Sequence, residues 1–140
     1  MLSAYPACFI KESSGYSVIF PDLNHLATCG HTLDEALVMA VDCLAGYLHW
    51  LQKDGESAPA ASPIDKVNLT EFIEESEIQP DEAFVNMVTV DVAEYAKTHF
   101  EKSVKKTLTI PAWLNKAALE QNINFSQVLQ DALKSQLHLG

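Results

Sequence analysis

The stretch GHTLDEAL, from Gly30 to Leu37, marks the clearest change of secondary structure in this sequence. Thr32 and Glu35 have the spacing of a capping box, in which the hydroxyl accepts from the Glu35 amide and the carboxylate accepts from the Thr32 amide. Apolar residues then recur at helical spacing over five turns, at Leu33, Ala36, Leu37, Ala40, Val41, Leu44, Leu48 and Leu51. The pattern predicts one long amphipathic helix, which Gly55 ends.

The residues before this helix favour β-structure. Two apolar runs, LSAYPACFIK (residues 2–11) and YSVIF (16–20), are joined by a Ser-Gly turn, which predicts a β-hairpin. Pro6 lacks an N–H group, so the first run is expected to be an edge strand or a strand with a break. After the loop PDLNH, the run LATCG (26–30) predicts a third short strand and completes a meander.

The residues after the helix return to β-structure by way of a linker. The segment GESAPAASP (55–63) has the small residues and prolines of a surface loop. Asn68 is the expected cap of a short acidic helix over NLTEFIEES, and AFVNMVTVDV (83–92) is rich in β-branched residues, which predicts a fourth strand. One or two helical turns over AEYAKTHF are expected next. The predicted fold class is α+β.

Charge divides the 140 residues into two parts. Residues 1–101 hold four lysines against 17 acidic residues, a net charge of −13, whereas residues 102–140 hold five lysines against two acids, a net charge of +3. The change of sign near Glu101 predicts two domains, 1–101 and 102–140. The N-terminus lacks the basic start and apolar core of a signal peptide, and the three cysteines form no CxxC pair, so a cytoplasmic protein without disulfides is expected.

The basic part begins with KKTLTIPAWL (105–114), in which polar and apolar residues alternate up to Ile110. The alternation predicts a strand with Leu108 and Ile110 on one side and Lys105, Thr107 and Thr109 on the other. Pro111 suits the first turn of a helix that ends near Asn122. Asn124 is the expected N-cap of a second helix, whose apolar stripe comprises Val128, Leu129, Ala132, Leu133 and Leu137.

A single strand followed by two short helices leaves its ladder groups unpaired, and antiparallel pairing with the same strand of a second chain would satisfy them. This part resembles the ribbon-helix-helix family of bacterial repressors in its KKTLTIP strand, its NIN turn and its second helix, FSQVLQDALKSQL. The resemblance implies base reading by Lys105, Thr107 and Thr109, with Lys106 beside them, and a phosphate site at Asn124, Phe125 and Ser126. The chain has no arginine, the residue such strands often use to read guanine, so a ribbon that serves only for dimerisation stays open.

The acidic part resembles the HicB family of antitoxins in GYSVIFPDL, in the strand ending in CG, in GHTLDEAL and in the late strand followed by EYA. The resemblance implies a reduced, non-catalytic RNase H-like domain that covers a small basic mRNA-cleaving toxin of the HicA type. It also implies that the C-terminal module represses the shared operon, with a homodimer formed through its strand or a tetramer. Acidic charge suits a basic ribonuclease, although it also serves solubility, and the toxin-contacting residues stay unassigned.

Two alternatives concern catalysis and metal binding. RNase H chemistry needs several carboxylates around two metal ions, but Glu35 and Asp34 are already explained by the helix start, which leaves Asp22 and Asp42. We therefore expect no enzyme and no cofactor. Cys29, His31 and His25 lie close together in sequence, so a ribbon-helix-helix regulator that senses a metal or small ligand is the alternative function; no metal ligands are assigned.

Overall fold

A computed structural model describes residues 1–74 and 82–139. The chain divides into two compact units, Met1–Lys102 and Ser103–Gly140, one residue beyond the boundary expected from charge. Among the described residues, no helix is both long enough and apolar enough to cross a bilayer.

The first unit is an antiparallel sheet with helices. Its strands are β1 (Ser3–Glu12), β2 (Gly15–Phe20), β3 (Leu26–Gly30) and β4 (Ala83–Val90), arranged in the order β3-β2-β1-β4. Its helices are α1 (Leu33–Lys53), α2 (Thr70–Glu74) and α3 (Val92–His99), with short 3-10 turns at Pro21–Leu23 and Ile64–Lys66. The meander, long helix and further strand are confirmed; the last two residues of the predicted acidic helix, 75 and 76, lie outside the described residues.

Helix α1 packs against one face of the sheet and forms the hydrophobic core. Phe9, Val18 and Phe20 of the sheet are fully buried with Leu44 of α1 and Leu23 of the 3-10 turn. Burying one such side chain contributes roughly 1.5–3 kcal/mol. All of these buried residues lie within residues 1–102, so the first unit forms a hydrophobic core of its own.

The linker after α1 is held against the sheet rather than lying free on the surface. The Tyr5 hydroxyl donates to the Pro59 carbonyl, and the Ser62 amide and hydroxyl donate to the Asp22 carboxylate at 2.6 and 2.7 Å. Cys8 lies on the face opposite α1 yet is fully buried. Residues that follow the linker, among them Glu71, lie close to this second face. Burial of the Cys8 thiol, together with the nearby charge of Glu71, raises its pKa to about 11.

The ends of α1 confirm the expected helix start and stop, with one correction. The Thr32 hydroxyl accepts from the Glu35 amide at 3.1 Å, but the Glu35 carboxylate accepts from the His31 amide at 3.2 Å, one residue before the predicted partner. Gly55 has φ +72°, the left-handed conformation that ends a helix at little cost for glycine. At Gly30, a Cβ atom would lie 2.4 Å from the Ala36 nitrogen, so only glycine permits this close approach of β3 to α1.

Pro6 does not place β1 at the edge of the sheet, so that prediction is wrong for the strand as a whole. β1 is an interior strand, paired with β4 from Ser3 to Ile10 and with β2 only from Cys8 onward. Pro6 therefore lies where β1 has a neighbour on one side alone. The nitrogen of Pro6 carries no hydrogen. No ladder hydrogen bond is lost where that nitrogen faces the side on which β1 has no neighbour.

The second unit contains α4 (Ala112–Glu120) and α5 (Phe125–Gln136). The Asn124 side chain accepts from the Gln127 amide at 3.0 Å, which confirms the predicted N-cap, and Asn122 has φ 54° in the turn between the helices. The described residues 103–111 contain no strand, contrary to the expectation for Lys105–Ile110. A strand exists only with a hydrogen-bonded neighbour, and one chain supplies none here.

Candidate functional site

The second unit has an open apolar groove between the segment before α4 and the first half of α5. Its volume is about 720 Å³. It is lined by Val104, Lys105, Lys106, Leu108, Ile110, Asn115, Phe125, Ser126, Val128, Leu129 and Ala132. We call this the apolar groove. Apart from two lysines and two small polar residues, its walls are hydrocarbon.

The two sides of the segment 107–110 differ in their relation to the groove. Leu108 and Ile110 line it, whereas Thr107 and Thr109 do not. This is the arrangement that alternation predicts, although the segment has no strand partner. Alternation places Lys105 on the same side as Thr107 and Thr109. In the structure, Lys105 instead borders the groove, as Lys106 does.

The second unit has no core. None of the described residues from 103 to 139 is buried, and only Ala118 and Leu129 are even half-buried. Leu108 is 57% exposed and Val128 is 53% exposed, although both lie on the apolar side of their segments. Because isolated helices of this length are marginal in water, the unit needs further apolar contacts to be stable.

The start of α5 provides main-chain donors beside the groove. The first amides of a helix have no intrahelical acceptor, and here they belong to Phe125 and Ser126 after the Asn124 cap. The Ser126 hydroxyl accepts from the Gln130 side chain at 3.2 Å. Helix N-termini favour anions, so the geometry is compatible with a phosphate at this end.

The structure therefore brings together only some of the predicted DNA-binding residues. Lys105, Lys106, Phe125 and Ser126 line one groove, whereas Thr107, Thr109 and Asn124 lie outside it. The side chain of Asn124 is already used in capping its own helix. The second unit, residues 103–140, has four lysines against two acidic residues, and this positive net charge suits contacts to a phosphate backbone.

The carboxylates considered for catalysis in the first unit are engaged in structural contacts. Asp22 holds Ser62, and Glu35 accepts from the His31 amide. Asp42 accepts from the Tyr95 hydroxyl at 2.8 Å, and burial together with this contact raises the pKa of Tyr95 to about 12. Sequence spacing gave no sign of the Asp22 or Asp42 contacts, because the partners are 40 and 53 residues away.

The suggested metal ligands do not assemble. Cys29 is exposed and lines a cavity of about 280 Å³ with His31, while the ring of His25 lies 5.8 Å from that of Phe72. Within residues 1–74 and 82–139, no group of three His, Cys, Asp or Glu side chains is positioned to hold a metal ion.

An acidic α+β unit with its own core is therefore followed by a basic helical pair in which no described residue is buried. The family model of the HicB-like antitoxin of bacterial toxin–antitoxin systems matches residues 5–132. The chain therefore belongs to the HicB-like antitoxin family. Antitoxins of this family are not enzymes, and the sequence expectation that the chain is no enzyme agrees with this membership.

Individual relatives and structures agree with the family. A 14.9 kDa protein from the rep-hol intergenic region of Haemophilus phage HP1 is 31% identical over 111 residues, covering 79% of this chain and 74% of that protein. Antitoxin HicB 2 of Photorhabdus laumondii is 36% identical over 58 residues, 41% of this chain and 42% of the antitoxin. A chain of a toxin–antitoxin complex from Streptococcus pneumoniae is 34% identical with a TM-score of 0.64, covering 97% of this chain and 99% of that one.

A more distant structure supports the fold alone. A chain of the HicA3 and HicB3 toxin–antitoxin complex is 19% identical with a TM-score of 0.51, covering 64% of this chain and 99% of that chain. Together, the comparisons identify a HicB antitoxin of a toxin–antitoxin system.

Proposed function

We infer that the first unit neutralises a HicA-type toxin, a small basic mRNA-cleaving ribonuclease, and that the second unit represses the operon by binding operator DNA. The observation that carries the second part is the absence of any buried side chain in residues 103–139. Both activities would take place in the cytoplasm, where operator and transcript are found.

A ribbon-helix-helix dimer supplies what the second unit lacks. If Lys105–Ile110 paired antiparallel with the same segment of another copy, its ladder groups would gain partners. Leu108 and Ile110 would then face helices of both copies, and the apolar groove would become the interior of the dimer. Each apolar square ångström removed from water contributes about 25 cal/mol, so closing this groove favours association.

The outward face of such a ribbon fits the major groove of B-DNA. Thr107 and Thr109 lie outside the apolar groove, as base-reading positions require, and Lys105 would reach a guanine from the ribbon's end. Lys106 would add charge beside them. The amides at Asn124, Phe125 and Ser126 would hold a phosphate, which positions the ribbon without reading sequence.

The first unit suits a basic partner by charge. Residues 1–101 have a net charge of −13, which would attract a ribonuclease that must itself attract RNA phosphates. The related chain from Streptococcus pneumoniae was solved in a toxin–antitoxin complex. We propose that the first unit has the reduced RNase H-like fold and that it binds the toxin through its own surface rather than by catalysis.

A double variant separates the two activities. We expect Lys105→Ala with Thr107→Ala to weaken operator binding by about tenfold to a thousandfold, because each good base contact contributes roughly 1–3 kcal/mol. Toxin neutralisation, measured by growth rescue, is expected to remain. Electrophoretic mobility shifts at two salt concentrations would also show a shallower salt dependence, since one positive charge at the DNA interface is lost.

The matched control is Lys116→Ala, which removes one positive charge from the same unit outside the proposed readout face. It should reduce operator binding only slightly. Loss of operator binding and toxin neutralisation together in the double variant would contradict two independent units. Unchanged operator binding would favour a ribbon that serves dimerisation alone.

A further inference from the structure

Strand β4 is an outer strand of the sheet with one side unpaired. It pairs with β1 along its full length, from Ala83 to Val90. Among the described residues, no main-chain hydrogen bond joins β4 to any segment other than β1. The side of β4 away from β1 therefore presents a row of main-chain donors and acceptors, as sheet edges do.

The pairing register identifies which residues point outward. Glu12 and Gly15 close a hairpin with a two-residue loop, and such a pair exchanges main-chain hydrogen bonds. Because bonded and non-bonded pairs alternate along an antiparallel ladder, Cys8 also bonds to β2, whereas Phe9 and Ala7 bond to β4. Pro6, which has no N–H group, then stands opposite Met87 in a non-bonded pair, consistent with the same alternation.

It follows that four residues of β4 direct their main-chain groups away from β1. They are Ala83, Val85, Met87 and Thr89, which alternate with the residues bonded to β1. We call these outward groups the β4 edge.

The β4 edge lacks the features that usually prevent a strand from pairing with another chain. Its sequence, AFVNMVTV, contains no charged residue and no proline over eight residues. Edge strands are commonly protected by lysine, proline, bulges or short length. The opposite edge, β3, has only five residues and leads through a short turn into α1, so it offers much less pairing length.

Among the described residues, the face of β4 that carries Phe84 is also open beside the edge. Helix α1 covers Val88 and Val90, which are 4% and 6% exposed, but Phe84 on the same face remains 38% exposed and Asn86 is exposed. The Phe84 ring stacks on that of Phe9, with centroids 5.1 Å apart and planes within 2°. A strand added next to β4 would cover Phe84 without displacing a helix.

We propose that the β4 edge receives a strand of the basic toxin, which extends the sheet by β-augmentation. This proposal rests on the toxin neutralisation proposed above and names the surface that performs it. Charge favours this occupant over a second copy, because two first units, with five lysines against 17 acidic residues in residues 1–102, would each carry −12 to the shared edge. In peptide recognition of this kind, main-chain bonds give affinity and alternate side chains give specificity.

The test uses the full chain and a pair of variants at one position. Met87→Pro removes an outward N–H group and places a ring at the edge, whereas Met87→Ala removes the same side chain and keeps the N–H group. The probe is a purified HicA-type toxin whose ribonuclease activity has been removed by mutation. We expect calorimetry to show binding weakened on the order of tenfold or more for Met87→Pro relative to Met87→Ala.

A second pair keeps the test valid if Met87→Pro does not fold, as judged by circular dichroism. Asn86→Lys places a positive charge at an exposed position beside the edge, and Asn86→Glu is its control. Repulsion of a basic strand predicts weaker toxin binding for Asn86→Lys but not for Asn86→Glu. Operator binding should be unchanged in both, which verifies that the second unit is intact.

The outcomes separate this proposal from the proposed function. If the wild-type chain binds the probe and both Met87→Pro and Asn86→Lys bind it equally well, the edge is not the toxin site, although neutralisation stands. If Met87→Pro lowers the mass measured by light scattering while toxin affinity is unchanged, a second copy occupies the edge and the proposal is wrong. If the wild-type chain does not bind the probe, the proposed function itself fails.

Discussion

The two units of this antitoxin differ in how they meet the need for a hydrophobic core. In the first, one helix covers a four-stranded sheet, and the linker is held against the sheet by Tyr5 and Asp22. In the second, two helices and an unpaired segment expose their apolar side chains along a groove. The comparison shows that one chain can contain a unit with its own buried core and a unit in which none of the described residues is buried.

Charge follows the same division. The first unit is acidic and suits a basic protein, whereas the second is basic and suits a polyanion. Under the proposed function, opposite charges on the two units would let one chain bind a basic protein and DNA without the two sites competing for the same ligand. Variants in each unit test whether the two units are as independent as this difference in charge and burial suggests.

The largest expected effect comes from the core of the first unit. Phe9 is fully buried between α1 and the sheet, so Phe9→Ala should reduce the free energy of unfolding by about 3–5 kcal/mol. Trp50 reports on the first unit and Trp113 on the second, so urea unfolding of single-tryptophan variants separates them. The exposed Val38→Ala should change stability by less than about 0.5 kcal/mol. If Phe9→Ala lowered the unfolding free energy of the second unit, followed through Trp113, by as much as that of the first unit, the two units would not be independent.

The next effect concerns the apolar groove. Leu129→Asp would place an unpaired carboxylate inside the proposed dimer, so we expect dimer affinity to fall by about a hundredfold or more. Sedimentation should then show monomers that no longer bind operator, while the first unit unfolds as before. Gln121→Asp adds the same charge outside the groove and should leave the dimer intact. Dimers of Leu129→Asp at the wild-type affinity would show that the groove is not the interface.

The smallest effect comes from the contact between α1 and α3. Tyr95→Phe removes one hydrogen bond to Asp42 and should cost about 1 kcal/mol near neutral pH. The pKa of Tyr95 is raised to about 12 in the folded chain, so the unfolded chain loses its proton first. This contribution is complete below about pH 10 and declines as pH rises toward 12. Urea titrations across this range should show a steeper decline for wild type than for Tyr95→Phe.

Local features of the fold were predictable from the sequence, and distant contacts were not. The starts of α1 and α5 were found because Thr32 and Asn124 cap amides only three residues away. The position of β1 was missed because its second neighbour, β4, begins more than 70 residues after β1 ends. Pro6 suggested that β1 is an edge strand, but β1 lacks a second neighbour only in the part before Cys8.

The candidate site shows the same limit more strongly. Alternation correctly placed Leu108 and Ile110 apart from Thr107 and Thr109, since that pattern is local. The described residues 103–111 contain no strand, because a strand needs a hydrogen-bonded neighbour and one chain supplies none here. The β4 edge was not found as a site, because an apolar strand sequence does not show which side lacks a neighbour.

We propose that the second unit is stable only when it pairs with a second copy. The most direct test is thermal unfolding of the full chain at several protein concentrations, followed through Trp50 and Trp113 separately. If the second unit owes its stability to a second copy, the Trp113 transition should move to higher temperature as concentration rises, because association favours the folded dimer. The Trp50 transition should stay in place. A Trp113 transition that is independent of protein concentration would show that the second unit is stable without a second copy.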